Sequence, residues 1–173
     1  LNKPVVLTYS QRSSDRASSD AALNLLCSAR ATISDIAEVM LVGHASSNDN
    51  FCYAMPGTKV RKMHSSKRDA FKTINALPFA KVFPDKVEKL SPYKECNNDK
   101  VKLDAVFDDS IAIIKFFPGQ NPDILDYYSQ RYKGIIIEIT GLGHVSQNWI
   151  PKLKKAFDNG TIICATAQTI YGR

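Results

Sequence analysis

Paired cysteines, long apolar runs and repeats are all missing from this sequence, and each absence removes a class of protein. The four cysteines, Cys27, Cys52, Cys96 and Cys164, are scattered, with no spacing that would hold zinc or form a redox pair. Two of them lie in apolar runs (Leu26-Cys27 and Ile163-Cys164), where a free thiol behaves as a small buried hydrophobe. The expected setting is therefore reducing and cytoplasmic. No apolar stretch approaches membrane-spanning length and no signal-peptide pattern opens the chain, so no membrane contact is expected. The chain begins at Leu1 on a short lead into an apolar strand, which suggests a piece of something longer.

What is present fits a globular protein. The 173 residues suit one domain, or one domain and part of another. Hydrophobic residues make up 44% and charged residues 23%, enough apolar material to bury a core and too much for disorder. The net charge of +6 permits contact with nucleic acid or other anions without requiring it, since solvated lysines give the same number.

Short apolar runs alternate with amphipathic stretches, the pattern of an α/β protein. Residues 5–8 read as a strand buried on both faces. Ser18 or Ser19 caps a helix with Asp20 in its first turn, and Ala22, Leu25, Leu26, Ala29 and Ile33 recur on one helical face. A buried strand at 37–42, parallel to the first, and a polar loop at 46–50 follow. Residues 51–63 read as a hairpin turning at Met55-Pro56-Gly57. Residues 83–109, with Pro84, Pro92 and Asn97-Asn98-Asp99, read as a hairpin and then a solvated connector. Beyond it come strands at 111–116, 134–140 and 161–165. One helix is opened by Asn121-Pro122, and another, over 149–157, is closed by Asn159-Gly160.

The segment Gly57-Thr58-Lys59-Val60-Arg61-Lys62-Met63-His64-Ser65-Ser66-Lys67-Arg68-Asp69-Ala70-Phe71 is the most informative. Seven basic or imidazole side chains lie between Lys59 and Lys72, against the single acid Asp69. On charge alone this is a solvated arm leading into a helix start. Lys62 stands apart because it falls where a strand becomes a Ser-rich turn. A lysine desolvated there, near a carboxylate, keeps a neighbouring hydroxyl or water ready for attack.

That segment, together with Arg12-Ser13-Ser14-Asp15-Arg16-Ala17-Ser18-Ser19-Asp20-Ala21-Ala22-Leu23-Asn24-Leu25 and Thr140-Gly141-Leu142-Gly143-His144-Val145, resembles the asparaginase superfamily. Within it the three stretches look most like the D subunits of archaeal glutamyl-tRNA(Gln) amidotransferases, the Asp15-Arg16 pair and the basic form of the first stretch favouring that branch. The resemblance implies a flavodoxin-like parallel-sheet domain and a smaller C-terminal α/β domain. Residues 1–83 would be the C-terminal part of the first, 84–109 a hairpin and linker, and 110–173 the N-terminal part of the second. It implies hydrolysis of a glutamine or asparagine side-chain amide by an attacking threonine, with a Thr-Asp-Lys set moving protons. Lys62 matches the catalytic lysine. Ser10 matches a position whose backbone carbonyl contacts the substrate amide, although Tyr9-Ser10 stands where the family usually has Gly-Ala. The Gly-rich turn with the nucleophilic threonine, and the Gly-Thr-Asp-Thr stretch, are not in this sequence.

The same resemblance implies partners: an amidotransferase subunit that uses ATP and Mg, tRNA(Gln), and further copies of the chain through its asparaginase domain. Lys67, Arg68 and Lys72 are the candidate tRNA contacts, expected to be solvated. No cofactor or metal is implied for this chain itself. Among other candidates, His44 is a strand-end histidine, either satisfied or lining the cleft. His144 follows a Gly-Leu-Gly that lacks the third glycine of a phosphate loop, and is either a turn residue or a ligand at a strand end. Asp108-Asp109 lacks further ligands at metal spacing and reads as a cap. A cytosolic asparaginase and a non-catalytic α/β assembly module are the alternatives.

Overall fold

The computed structural model describes residues 1–172, and the chain divides into two compact units, Leu1–Leu103 and Asp104–Arg173. The first unit contains β1 (Val5–Leu7), α1 (Ala21–Thr32), β2 (Val39–His44), β3 (Cys52–Pro56), β4 (Val60–Lys62), β5 (Phe71–Thr73), β6 (Ala80–Val82) and β7 (Val87–Lys89). Five strands form a sheet in the order β1-β2-β3-β6-β7, while β4 and β5 pair with each other as a separate arm. The expected parallel neighbours are there: β1 pairs with β2 in the register Val5↔Val39, Val6↔Met40 and Leu7↔Leu41. The remaining pairings of this sheet are antiparallel. Its core gathers Cys27 and Ala31 of α1, Ile36, Met40 and Val42, then Cys52, Ala54, Ala80 and Val82. Removing side chains such as Met40 and Val42 from water contributes roughly 1.5–3 kcal/mol each.

The second unit contains β8 (Ile111–Lys115), α2 (Asp123–Ser129), β9 (Gly134–Ile139), a 3₁₀ turn (Gln147–Trp149), α3 (Ile150–Asp158) and β10 (Ile162–Ala167). Its sheet runs β10-β9-β8, wholly parallel. Leu125 of α2 and Trp149 pack with Ile114, Phe116, Ile135 and Ile137 to make the core. The helix signals in the sequence hold here. The Asn121 side chain accepts the Asp123 N–H at 3.0 Å, and Gly160, at φ 89°, closes α3 in the left-handed conformation that glycine adopts without strain.

Several expectations are corrected. Residues 51–63 are not a hairpin: β3 has both edges occupied, by β2 and β6, so the chain leaves the sheet at Pro56 and builds a new pair. No helix starts after Arg68, because residues 71–73 return as β5 beside β4. Within these 173 residues β1 is an edge strand with Val5 and Leu7 exposed, where the strand at 5–8 was expected to be buried on both faces. The apolar stripe of α1 faces outward, with Leu25, Leu26 and Ile33 exposed, and the buried residues are Asn24, Cys27, Ser28 and Ala31. Cys164 is exposed rather than a core thiol, because most of β10 is uncovered among the described residues.

Candidate active site

Lys62 ends β4 opposite Phe71 of β5, and the Met63 N–H donates to the Ala70 carbonyl at 2.7 Å. The lysine is exposed rather than desolvated, and its ammonium stands 5.9 Å from the Phe71 ring centroid. It lines a cavity of about 260 Å³ together with Met63, His64 and Ser65. The Ser-rich turn beyond it is closed by His64, whose Nδ1 accepts the backbone N–H groups of Ser66 (3.0 Å) and Lys67 (3.2 Å). The strand-to-turn placement read from the sequence is therefore found.

Ser10 lies in the loop after β1, and a buried carboxylate shapes that loop. Asp20 precedes α1 without capping it. Its carboxylate instead turns back to accept Arg12 N (2.9 Å), Gln11 N (3.0 Å) and the Ser10 hydroxyl (3.3 Å). One turn along α1, Asn24 donates through Nδ2 to the Tyr9 carbonyl (2.9 Å) and to Asp20 (3.1 Å). Its Oδ1 accepts the His44 backbone N–H at 2.9 Å and lies 2.6 Å from His44 Nδ1. His44 Nε2 meets Asp49 at 2.9 Å, and Asp49 also accepts Arg68 Nη1 at 2.7 Å. The hydrogen bonds from His44, then Arg68, hold the Asp49 carboxyl below the usual carboxylate range.

A chain of polar contacts thus runs from the Ser10 loop to the turn after Lys62. His44, 1% exposed, is a satisfied member of that chain. Sequence reasoning missed Asp20, Asn24 and Asp49. The signal available was the i,i+4 spacing of Asp20 and Asn24, two polar residues that reach each other along one helix face. The loop and the arm also touch directly, for the Tyr9 ring packs on Phe71 at 4.5 Å between centroids.

The three cations expected to be solvated differ. Lys67 is exposed. Arg68 is turned inward, its side chain 18% exposed, on Asp49 and the Ser47 carbonyl. Lys72 pairs with Asp69 at 2.7 Å and reaches the Ala45 carbonyl at 3.3 Å; the pairing lowers the Asp69 carboxyl. A charge-assisted hydrogen bond to a carboxylate within reach orients each of these two.

In the second unit, His144 is exposed in a tight turn, its N–H donating to Thr140 Oγ1 at 2.9 Å, with Gly143 at φ 84°. Asp108 accepts the Ser110 N–H and faces Lys133, which together bring its carboxyl down to about 2. It is the cap before β8 that the sequence suggested, and Asp109 follows it in the same loop. Among the described residues no three His, Cys, Asp or Glu side chains gather as a metal site, and no helix is long and apolar enough to cross a membrane.

The α/β architecture with its parallel strand pairs is shared with solved asparaginases. The thermostable L-asparaginase of Thermococcus kodakarensis superposes with a TM-score of 0.85 at 26% identity, over 99% of this chain and 50% of that one. L-asparaginase I of Vibrio cholerae gives 0.80 at 25%, over 100% and 52%. The chain belongs to the asparaginase family: the asparaginase N-terminal domain matches residues 1–94, and the glutaminase/asparaginase C-terminal domain matches residues 110–173. Among curated relatives, the D subunit of the glutamyl-tRNA(Gln) amidotransferase of T. kodakarensis is 51% identical over 100% of this chain. Its namesake from Methanosarcina acetivorans is 46% identical over 98%. The chain spans about two fifths of the length of these relatives, 40% and 41%.

Proposed function

We propose that this chain is part of a glutamine-hydrolysing subunit of a tRNA-dependent amidotransferase, which releases ammonia for conversion of Glu-tRNA(Gln) to Gln-tRNA(Gln). The observation that carries this reading is the 51% identity to an amidotransferase D subunit along the whole chain, set against 26% to a solved asparaginase of the same organism. In this reading Lys62 belongs to the proton relay. Its ammonium, balanced by a carboxylate, holds a threonine hydroxyl ready to attack the glutamine side-chain carbonyl, and ammonia leaves as the C–N bond breaks. The Ser10 carbonyl, in a loop fixed by Asp20, receives the substrate amide N–H. The threonine and its aspartate come from outside these 173 residues, so the chain alone is inactive.

The ammonia is used by a partner subunit that activates the tRNA-bound glutamate with ATP and Mg. Lys67, exposed on the same arm, is the cation best placed for tRNA phosphate, while Arg68 and Lys72 hold the arm through their carboxylates. The asparaginase alternative rests on the shared fold, with a TM-score of 0.85.

The test is ammonia release by the full-length protein from glutamine and from asparagine, with and without its partner subunit and Glu-tRNA(Gln). Glutamine hydrolysis stimulated by the charged tRNA complex supports the proposal. Rapid asparagine hydrolysis indifferent to tRNA favours the asparaginase reading, and no hydrolysis of either amide favours an inert assembly module.

A further inference from the structure

The arm that carries Lys62 is a two-stranded pair outside the five-stranded sheet. An isolated two-stranded hairpin is marginally stable in water, so where the arm stands depends on the side chains that tie it down. We propose that Tyr9 is a positioning residue that clamps this arm onto the loop carrying Ser10, and so sets the place of the Lys62 ammonium.

Tyr9 is fixed at both ends. Its backbone carbonyl accepts from Asn24 Nδ2 at 2.9 Å, which fastens it to α1. Its ring packs on Phe71 with centroids 4.5 Å apart and planes at 43°, and its hydroxyl donates to the Arg68 carbonyl at 3.0 Å. Burial, followed by the charges of Asp20, Cys52 and Asp69, pushes the phenol above its usual range, so the hydroxyl keeps its proton and remains a donor. Phe71 stands directly across the ladder from Lys62, and the lysine ammonium lies over its ring. A shift of the Tyr9 ring therefore passes through one side chain to Lys62.

The strand beneath is built to admit this ring. A Cβ at Gly43, in the interior of β2, would lie 2.2 Å from Tyr9 Cε1 and 2.5 Å from Cζ. Only glycine leaves room, although glycine inside a strand is otherwise unfavourable. The pairing of a large residue at 9 with none at 43 is the local signature of the clamp.

The catalytic arm of the test rests on the amide-hydrolysis reading, and the structural arm does not. In the full-length protein, Tyr9→Phe and Tyr9→Ala are compared with the parent by hydrogen exchange of the backbone amides of residues 63–71, with the β2 amides of residues 40–42 as internal control, and by kcat and KM for glutamine. Tyr9→Phe keeps the ring and loses one hydrogen bond, so arm exchange should quicken about 5- to 10-fold. kcat should fall by a similar factor with KM within about twofold and β2 exchange unchanged. Tyr9→Ala also loses the ring contact, and both effects should reach about 100-fold. If it fails to fold, Tyr9→Phe decides alone. Unchanged arm exchange in Tyr9→Phe overturns the clamp whatever happens to activity, and quickened exchange at constant kcat overturns its effect on Lys62. Absence of amide hydrolysis in the parent defeats the proposed function, and leaves the clamp to be decided by exchange.

Discussion

The two units bury different chemistry. Inside the first lie Asp20, Asn24, Ser28 and His44, while the second, among the described residues, buries Thr161 as its polar side chain. Helix α1 presents Asn24, Cys27, Ser28 and Ala31 inward and leaves Leu25, Leu26 and Ile33 outside. The helices of the second unit bury Leu125 and Ala156, and the turn before α3 buries Trp149, in the ordinary apolar manner. A buried polar group costs free energy unless it is bonded, so the first unit keeps its own only because each is paired within one chain of contacts. That chain holds the loop of Ser10 and the turn after Lys62, whereas the second unit behaves as a plain packed layer. The comparison places the bonded buried polar groups in the first unit and ordinary apolar packing in the second, and the proposed reaction would draw on the first.

The largest test of that division is catalytic. In the full-length protein, Lys62→Met should lower amide hydrolysis on the order of 100- to 10,000-fold, the usual loss for a group in a proton-transfer path. Methionine keeps the length of the stem, and the ammonium is exposed, so the melting temperature should hardly move. Lys59→Met, on the same arm, is the control. Equal, near-parental rates for the two variants would remove Lys62 from the site.

A second test swaps volume for polarity in each unit. Asn24→Leu keeps the volume but orphans His44 Nδ1 and its backbone N–H together with part of Asp20. It should cost about 3–5 kcal/mol, since each stranded group forfeits roughly 1–3 kcal/mol. Leu125→Met, fully buried in the second unit, should cost less than about 1.5 kcal/mol. Denaturant unfolding followed by hydrogen exchange in α1 and in α2 reads the two units separately. Similar costs for both variants would erase the distinction.

How far the sequence revealed this division depends on what kind of signal each element carries. The second unit was legible almost throughout, because its strands are continuous apolar runs and its helices carry Asn-Pro and Asn-Gly punctuation. Lys62 at a strand-to-turn junction was legible too, as was the parallel pairing of residues 5–7 with 39–41. The inward face of α1 was not. Apolar periodicity assigns Leu25, Leu26 and Ile33 to the core, whereas within these 173 residues the helix buries Asn24 with its polar partners beside Cys27, Ser28 and Ala31. Residues 51–63, which hold β3 and β4, were read as one hairpin because a Pro-Gly turn signal records a change of direction and not which strand the chain will meet. Arg68 and Lys72 looked solvated because no spacing in the sequence places Asp49 beside Arg68 or the Ala45 carbonyl beside Lys72.

The cations of the arm supply a smaller test. Lys67→Glu should weaken tRNA binding and reduce the slope of log affinity against log salt by about one, leaving amide hydrolysis nearly intact. Arg68→Gln should act differently, releasing Asp49 and loosening the arm rather than changing only the salt slope. Identical behaviour of the two variants would mean that Arg68 is as solvated as Lys67.

The smallest effect is acid sensitivity. His44 and Arg68 depress the Asp49 carboxyl, and Lys72 depresses Asp69. In the second unit Lys152 and Lys155 depress Asp126, and Ser110 and Lys133 bring Asp108 to about 2. A carboxyl whose folded pKa lies below its unfolded value near 3.8 contributes stability that is complete above that value and fades as pH falls through the folded one. Both units should therefore be indifferent to pH between about 5 and 7 on account of these groups, and weaken below about 4. These carboxylates lie at or near the surface, where solvent screens them, so each contribution is small. The units should differ in what Asp49→Asn does. Neutral at every pH, it removes the anion between His44 and Arg68 and should flatten part of the acid response of the first unit, leaving that of the second intact. Unfolding midpoints from about pH 7 to about pH 3, read by exchange in β2 and in α2, would show this. An acid response of the first unit that is unchanged in Asp49→Asn would mean that the polar chain ends at His44 and that Asp49 does not belong to it.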